Sequence, residues 1–335
     1  MKRKLKNVIV TGGAGFIGSH VCKTIKRNLP ETNVIVVDCL TYAGNLDNLK
    51  DDSEKIIYEC REIDIRNREE VQTLEGLEID AILHLAAESH VDRSIENPLE
   101  FVETNVLGTV NLLELGLKYK AKNSDFIFYH ISTDEVFGSL GFADLPFDES
   151  TPYDPHSPYS ASKAASDHFV RAYADTYGLN VLISNCSNNY GPNQYPEKLI
   201  PVVIKSLIER KPIPIYGEGN NVRDWLFVED HAEAILEIVQ RGRFGETYCV
   251  GGDSELTNLD LVKRLILEFD KQEGTHSMDL ISFVKDRPGH DLRYAINHLK
   301  LTDEIGWKPR HSLNYGLSTT VAWYINYFKN EFVNI

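Results

Sequence analysis

The chain has little that would tie it to a disulfide scaffold, a membrane or a nucleic acid. Its five cysteines (Cys22, Cys39, Cys60, Cys186 and Cys249) are scattered and odd in number, with no CxxC pair. That distribution predicts free thiols in a reducing compartment. No Cys/His cluster has zinc spacing, and no metal site is expected. No window approaches the roughly 18 apolar residues of a membrane helix. The early run Val8-Ile9-Val10 is too short for a signal-peptide core, and glycines follow it at once. Basic patches are missing beyond the first six residues, and 35 Lys and Arg face 50 Asp and Glu, a net charge of -15. Such a chain is a poor partner for a phosphate backbone, so no nucleic acid and no membrane is expected. Internal repeats and low-complexity segments are absent as well. These absences predict a soluble cytoplasmic protein. Its 335 residues suffice for two domains, at about 150 residues each, around an ample core.

What is present is an α/β pattern. Short β-branched runs alternate with helical periodicity through the first half, the mark of βαβ units and a parallel sheet. Strands are predicted at 8–10, 34–37, 56–58, 81–85, 126–131 and 181–184. Helices are predicted at 16–28, 68–74, from Pro98 to about Lys120, and from Pro158 to about Tyr177, the last opened by Ser157 as N-cap with Pro158 at the first turn. After Tyr190 the texture changes, as prolines and glycines punctuate shorter elements. The expected fold is a Rossmann-type doubly wound parallel sheet over residues 1–190, followed by a smaller mixed α/β domain over 191–335. Segments near 230–250 are candidates to return to the first sheet.

The first strand runs into Thr11-Gly12-Gly13-Ala14-Gly15-Phe16-Ile17-Gly18 and then a helix. Glycines permit the tight turn and let the backbone approach a pyrophosphate, which the helix N-terminus then faces. Asp38 ends the second strand, 20 residues after Gly18. A carboxylate there accepts the ribose hydroxyls of NAD and repels the extra phosphate of NADP. Asp64 and Ile65 follow the third strand and are placed to meet the adenine. Leu85, Ala86 and Ala87 end the fourth strand with small residues that admit the cofactor. His84, Glu88, His90 and Arg93 lie beyond that strand, on the ligand-binding side of such sheets, in the sugar pocket or supporting it.

The chemistry points to Ser132-Thr133-Asp134-Glu135 and Tyr159-Ser160-Ala161-Ser162-Lys163. Tyr159 and Lys163 share a helix face, and an ammonium beside a phenol favours the phenolate, a base near neutral pH. Two carboxylates beside such a base can divide an elimination between them.

These motifs together resemble the extended short-chain dehydrogenase/reductase superfamily. Longer strings, Leu85 to Ser94, Ser132 to Gly138, Asn188 to Pro201, Asn221 to Trp225, Thr257-Asn258 and Asp286 to His290, resemble its dTDP-glucose 4,6-dehydratase family across essentially the whole chain. The Asp134-Glu135 pair is known for that family, while related epimerases and dehydratases usually differ there. The resemblance implies NAD bound by Gly12, Gly15, Phe16, Ile17, Gly18, Asp38, Asp64, Ile65, Leu85, Ala86, Ala87, Tyr159 and Lys163. It implies catalysis by Tyr159, Lys163, Thr133, Asp134 and Glu135: transient oxidation at C4, elimination across C5 and C6, and return of the hydride to C6, with Glu135 as base and Asp134 as acid. Ser89, Thr133, Asn188 or Asn189, Lys198, Leu199, Arg223, Asn258, Arg287 and His290 would bind the sugar nucleotide, with Pro214 and Tyr216 flanking the thymine. It further implies a homodimer through a four-helix bundle and a place in deoxysugar biosynthesis, usually of rhamnose. Another nucleotide-sugar 4,6-dehydratase or a 4-epimerase is the alternative.

Overall fold

In chain order, the elements of the computed structural model are β1 (Asn7–Thr11), α1 (Phe16–Asn28), β2 (Asn33–Asp38), β3 (Glu59–Glu62), α2 (Arg68–Gln72), β4 (Ala81–His84), α3 (Val91–Glu96), α4 (Pro98–Phe101), α5 (Gly108–Lys122), β5 (Ile127–Thr133), α6 (Pro158–Tyr177) and β6 (Val181–Cys186). They continue with β7 (Asn188–Tyr190), α7 (Leu199–Glu209), β8 (Ile213–Tyr216), β9 (Val222–Phe227), α8 (Val228–Arg241), β10 (Thr247–Val250), β11 (Glu255–Thr257), α9 (Asn258–Glu273), β12 (Ile281–Val284), α10 (Leu299–Ile305) and α11 (Leu313–Val333). The structure describes residues 2–50, 55, 57–286 and 290–333.

Seven strands pair in the order β10-β6-β5-β4-β1-β2-β3, and every pairing among them is parallel. Strands such as NVIVT and AILH read as continuous apolar runs because both faces of this sheet are covered. On one face α1, α8 and α10 pack through Val21, Ile25, Ile235, Ile238 and Leu301. On the other, α2, α5 and α6 pack through Val71, Leu112, Leu113, Tyr119 and Val170. The chain leaves β1 toward β2 and β3, then restarts at β4 toward β5 and β6. That reversal opens a crevice at the strands' C-terminal ends, between β1 and β4. Smaller sheets, β11-β9-β7 and β12-β8, stand with α7, α9 and α11 around a separate core that includes Tyr190, Val203, Phe227, Leu265 and Tyr324. α8 and β10 belong to the large sheet's layers, with β10 beside β6 in the register Thr247 to Ile183. No helix among the described residues is long and apolar enough to cross a membrane.

Three elements differ from the sequence expectation. The third strand was placed at 56–58, and of these Ile56 lies outside the described residues; the strand runs over Glu59–Glu62. Its ECRE sequence carries no apolar signal because it is the exposed edge of the sheet. The long helix from Pro98 is not uniform, since a π-helical stretch, Val102–Leu107, joins α4 to α5. Its Asn105 side chain accepts from the Glu88 backbone N–H (2.9 Å) and donates to the Glu88 carbonyl (3.0 Å) and to Ser162 Oγ (2.8 Å). The wider turn lets that amide face inward, a common use of π-bulges at functional sites. Finally, β5 extends through Thr133, so Ser132 and Thr133 are its last residues, pinned by pairing to β6 up to Cys186. The short α3, β7 and β11 have no strong periodic signal and were not anticipated.

Candidate active site

The crevice holds a cavity of about 340 Å³ whose wall combines the glycine turn, the ends of β2, β4 and β5, and the first turns of α6. The glycine turn is built so that no side chain fits. Gly12 has φ +68, and a Cβ there would lie 2.7 Å from the Ala86 backbone nitrogen. A Cβ on Gly18 would stand 2.1 Å from the Gly12 carbonyl oxygen, which fixes how closely α1 approaches β1. α1 starts with Gly15 as N-cap, has no side-chain cap and no acidic residue in its first turn. Its first amides therefore face the cavity as a ready anion site. Asp38 closes this corner, its carboxylate accepting from Ala14 N–H (3.0 Å) and Leu40 N–H (2.9 Å) while burial raises its pKa. Glycine cradle, open helix terminus and strand-end carboxylate together fit a dinucleotide. Phe16, Ile17, Ile65, Leu85, Ala86 and Ala87 line the same wall. So does Asp64, although its carboxylate is gripped by the Arg66 guanidinium at 2.7 to 3.0 Å, which holds its pKa down.

Under this floor His84 is a strut. Thr11 Oγ1 and Thr109 Oγ1 sit 2.8 and 2.9 Å from its two ring nitrogens, and burial lowers its pKa well below the usual value. His90 caps α3, and Arg93 stacks 3.9 Å from the centre of the Tyr42 ring. Of the four residues beyond β4, Glu88 alone lines the cavity.

At the far end of the cavity, β5 and α6 converge. The capping box between Ser157 and Ser160, with Pro158 in the first turn, starts α6 one residue before Tyr159. Thr133 shares a hydrogen bond with the Tyr159 phenol and donates to Asp134 Oδ1 at 3.3 Å. Asp134 begins a 3₁₀ turn, Asp134–Phe137, locked inward by Val136 and Phe137 in a buried cluster. Its carboxyl is enclosed, and Oδ2 has no hydrogen-bond partner. Burial first, and the neighbouring Glu135 charge second, raise its pKa well above the carboxylate range. Both influences favour the neutral form of the Asp134 carboxyl.

The same surroundings bear on the Tyr159 phenol. Burial, then the Glu135 charge, push the Tyr159 pKa well above 10. Lys163 does not offset this by contact, since its ammonium donates to the Ile131 carbonyl at 2.9 Å and lies 3.4 Å from His130 Nε2. Burial lowers Lys163 to about 8. For Tyr159 to accept a proton, a further positive charge must stand beside it, as a bound NAD would supply.

The expected sugar-nucleotide residues divide. Ser89, Asn188, Asn189 and Lys198 line the cavity with Thr133. Lys198 ties two walls by donating to the Ser89 carbonyl at 2.9 Å. Asn188 Oδ1 is buried without a partner, whereas Asn189 Oδ1 pairs with His231 Nδ1 at 2.9 Å, so Asn188 is the residue left to meet a ligand. Leu199, Pro214, Tyr216, Arg223, Asn258 and His290 are not on the cavity wall. Leu199 and Asn258 open α7 and α9, and Tyr216 meets the His290 ring edge-on at 6.4 Å. Arg223, expected on the diphosphate, turns to the carbonyls of Val222 (2.7 Å) and Asp291 (3.0 Å) over the Tyr294 ring, and its charge bears on Asp134. Arg287 lies outside the described residues. The cavity also gathers Tyr42, Thr104, Cys186, Gln194 and Glu197, none of them anticipated. Tyr42 stands in a loop shortly after Asp38, and that position was its only sequence signal.

A protein-family profile described as GDP-mannose 4,6 dehydratase matches residues 9–320. The chain is 50% identical over 334 residues to a dTDP-glucose 4,6-dehydratase from Salmonella typhimurium, covering 95% of this chain and 92% of that one. It is 48% identical to one from Neisseria meningitidis, over 96% and 94%. The chain belongs to the dTDP-glucose 4,6-dehydratase family. A dTDP-glucose 4,6-dehydratase from Streptomyces venezuelae, solved with NAD bound, superposes with a TM-score of 0.88 at 43% identity, covering 96% of this chain and 97% of that one. The Rossmann-type fold is thus the dehydratase family's own.

Proposed function

We propose that this chain converts dTDP-glucose to dTDP-4-keto-6-deoxyglucose and water, with NAD as its resident cofactor. The relatives' names and the bound NAD of the solved neighbour support this. The observation that carries it is the enclosed Asp134 carboxyl, its Oδ2 without a hydrogen-bond partner, beside Glu135, Thr133 and Tyr159 in one cavity. A simple alcohol oxidation has no use for such a group, whereas an elimination needs an acid for its leaving hydroxyl.

The glycine turn and Asp38 hold NAD, with Asp64, Ile65 and Leu85 to Ala87 along its wall. When bound, NAD takes up the hydride from C4 and later returns it to C6, leaving no net redox change. Thr133 orients the 4-hydroxyl, and Tyr159 receives its proton beside the positive charge of Lys163. The 4-ketone acidifies the hydrogen on C5, which Glu135 removes, while Asp134 protonates the 6-hydroxyl, which leaves as water. Glu135 then gives its proton back to C5. Over one cycle Tyr159 gains a proton and Asp134 loses one, so a single transfer between them resets the site. Ser89, Asn188 and Lys198 hold the sugar-nucleotide end nearest the chemistry. Leu199, Tyr216, Arg223, Asn258, Arg287 and His290 belong to its nucleotide end.

Residues 1–190 with α8 and β10 form the cofactor unit, and the rest of 191–335 the sugar-nucleotide unit. Two copies pair through α4, the π-helical stretch with α5, and α6. Leu99, Val102 and Leu107 on the first helix and Phe169 on α6 are all exposed, at 70%, 49%, 47% and 42%, which supports a four-helix bundle there. Of the small residues Ala161, Ala164, Ala165 and Ala172 on α6, Ala164 is buried within its own chain, Ala165 is half-buried, and Ala161 and Ala172 are exposed for that contact. Five free cysteines support a reducing, cytoplasmic setting.

The test is incubation of purified chain with dTDP-glucose and no added cofactor, followed by product identification. A 4-keto-6-deoxy product supports the assignment, and dTDP-galactose would replace it with epimerisation. Glu135→Gln, given substrate deuterated at C5, should lose solvent exchange at C5; exchange at the wild-type rate removes Glu135 as the base.

A further inference from the structure

Below Lys163 lies a buried charged row that the dehydration steps leave unused. Lys163, Asp167 and Arg171 stand one turn apart along one stripe of α6, with alternating charge. His130 Nε2, on β5, is 3.4 Å from Lys163 Nζ and 3.1 Å from Asp167 Oδ1. The His130 and Asp167 side chains have no exposure at all. Asp167 Oδ2 accepts the Tyr153 hydroxyl at 2.7 Å and Asn185 Nδ2 at 3.2 Å. Arg171 donates to the Tyr153 hydroxyl (2.8 Å) and to Thr247 Oγ1 (3.1 Å), and it lines a second cleft with His168, Glu246 and Lys300. The row thus runs from the catalytic cavity to a separate opening beside β10.

One ring nitrogen cannot serve two partners of opposite kind. With its proton on Nε2, His130 donates to Asp167 and cannot accept from Lys163. The ammonium is then left with one carbonyl and the field of one carboxylate. We propose that Asp167, braced by His130, Tyr153 and Asn185 and through Tyr153 by Arg171, is a positioning residue that keeps Lys163 an ammonium and so lets Tyr159 accept the substrate's hydroxyl proton.

This role rests on the dehydratase assignment only for its effect on rate; the charge of Lys163 stands apart from it. The groups facing Lys163 are Asp167 on α6, His130 on β5, His84 on β4 and Cys186 on β6, and Tyr159 stands one turn before it on α6 in the same cavity wall. Both histidines are neutral, since burial lowers their pKa values. Asp167 is the largest influence that opposes the burial of the ammonium, followed by Cys186. Hydrogen bonds from His130 and Tyr153 hold the Asp167 carboxyl below its ordinary range despite its enclosure. Remove that charge, and Lys163 gives up its proton at lower pH. The phenol then faces Glu135 with no cation to offset it.

The experiment compares wild type, Asp167→Asn, Asp167→Glu and Tyr153→Phe. The first readout is the pH dependence of Lys163 acetylation, followed by mass spectrometry, which needs no turnover. The second is kcat/KM for dTDP-glucose across roughly pH 6 to 10. Asp167→Asn should move both the acetylation midpoint and the alkaline limb to lower pH by about 1 unit or more, a tenfold loss of rate per unit on that limb. Tyr153→Phe should move them the same way by less, and Asp167→Glu should restore much of the wild-type position. An unmoved acetylation midpoint in Asp167→Asn overturns the proposal, as does a rate that falls equally at every pH. If Asp167→Asn does not fold, the Tyr153→Phe midpoint decides alone. Wild type that makes no product while the acetylation midpoint shifts as expected overturns the dehydratase assignment and leaves the charge role standing.

Discussion

Adjacent carboxyl groups at 134 and 135 have unequal surroundings, one buried and one half-buried, and the proposed elimination draws on that inequality. Asp134 is sealed behind Val136 and Phe137, so its ionised form lacks solvation, and the Glu135 charge adds to the cost. Its folded pKa lies above its unfolded one. The folded chain therefore holds a proton that the unfolded chain releases, and stability is lost as pH rises from about 4 toward neutrality. Asp134→Asn removes that loss. It should raise the melting temperature at neutral pH by about 2 °C while cutting kcat on dTDP-glucose by about 100-fold or more. Scanning calorimetry at several pH values checks the first half, since the gap from wild type should close below pH ~4. Lys163 gives the opposite edge of the profile. With its pKa lowered to about 8, its ammonium is lost above that pH, and wild-type kcat/KM should fall there.

Elements carry constraints that single residues do not announce. Gly18 and Gly76 look alike in composition, yet Gly18→Ala places a methyl 2.1 Å from the Gly12 oxygen, while Gly76→Ala meets nothing within 4 Å. The first should destabilise by about 3 kcal/mol and yield protein purified without nicotinamide, and the second should stay within about 0.5 kcal/mol of wild type in urea unfolding. The π-helical stretch is a second case. Asn105→Ala would strand the Glu88 amide and the Glu88 carbonyl, while Ser162 Oγ keeps its bond to the Tyr159 carbonyl, a loss of about 2–4 kcal/mol in the same measurement. The glycine turn was legible because steric exclusion is written in the glycines themselves. The π-turn was not, because Asn105 reads as one polar residue in a helix until β4 and α6 supply its three partners.

At the scale of the whole molecule, four exposed apolar side chains fall on neighbouring helices. Leu99, Val102, Leu107 and Phe169 belong to two helical segments on one side of the large sheet. Leu99→Glu combined with Phe169→Glu should convert a sedimenting dimer to a 38.0 kDa monomer with its fold intact by circular dichroism. A wild-type chain that already sediments as a monomer removes the bundle. Two cores, one about the parallel sheet and one about α7, α9 and α11, meet where β7 leaves β6 after a single residue, Ser187. The catalytic cavity lies against that junction, with Cys186, Ser187 and Asn188 in its wall.

By itself the sequence determined the parallel sheet and the cofactor turn, and it singled out Tyr159, Lys163, Thr133, Asp134 and Glu135 as the proposed reacting groups. Each is a local pattern: apolar period, glycine spacing, or residue types a fixed number of positions apart. Protonation states were decided only by the tertiary structure. A pKa depends on what encloses a group, and much of that enclosure comes from distant segments, here Arg223 and Asp224 near Asp134, and Ile131 and Cys186 near Lys163. Nor does the sequence announce that the Arg223 fork rests on the carbonyls at 222 and 291. Which carboxyl is the acid is likewise a matter of burial, and burial is a property of the folded chain.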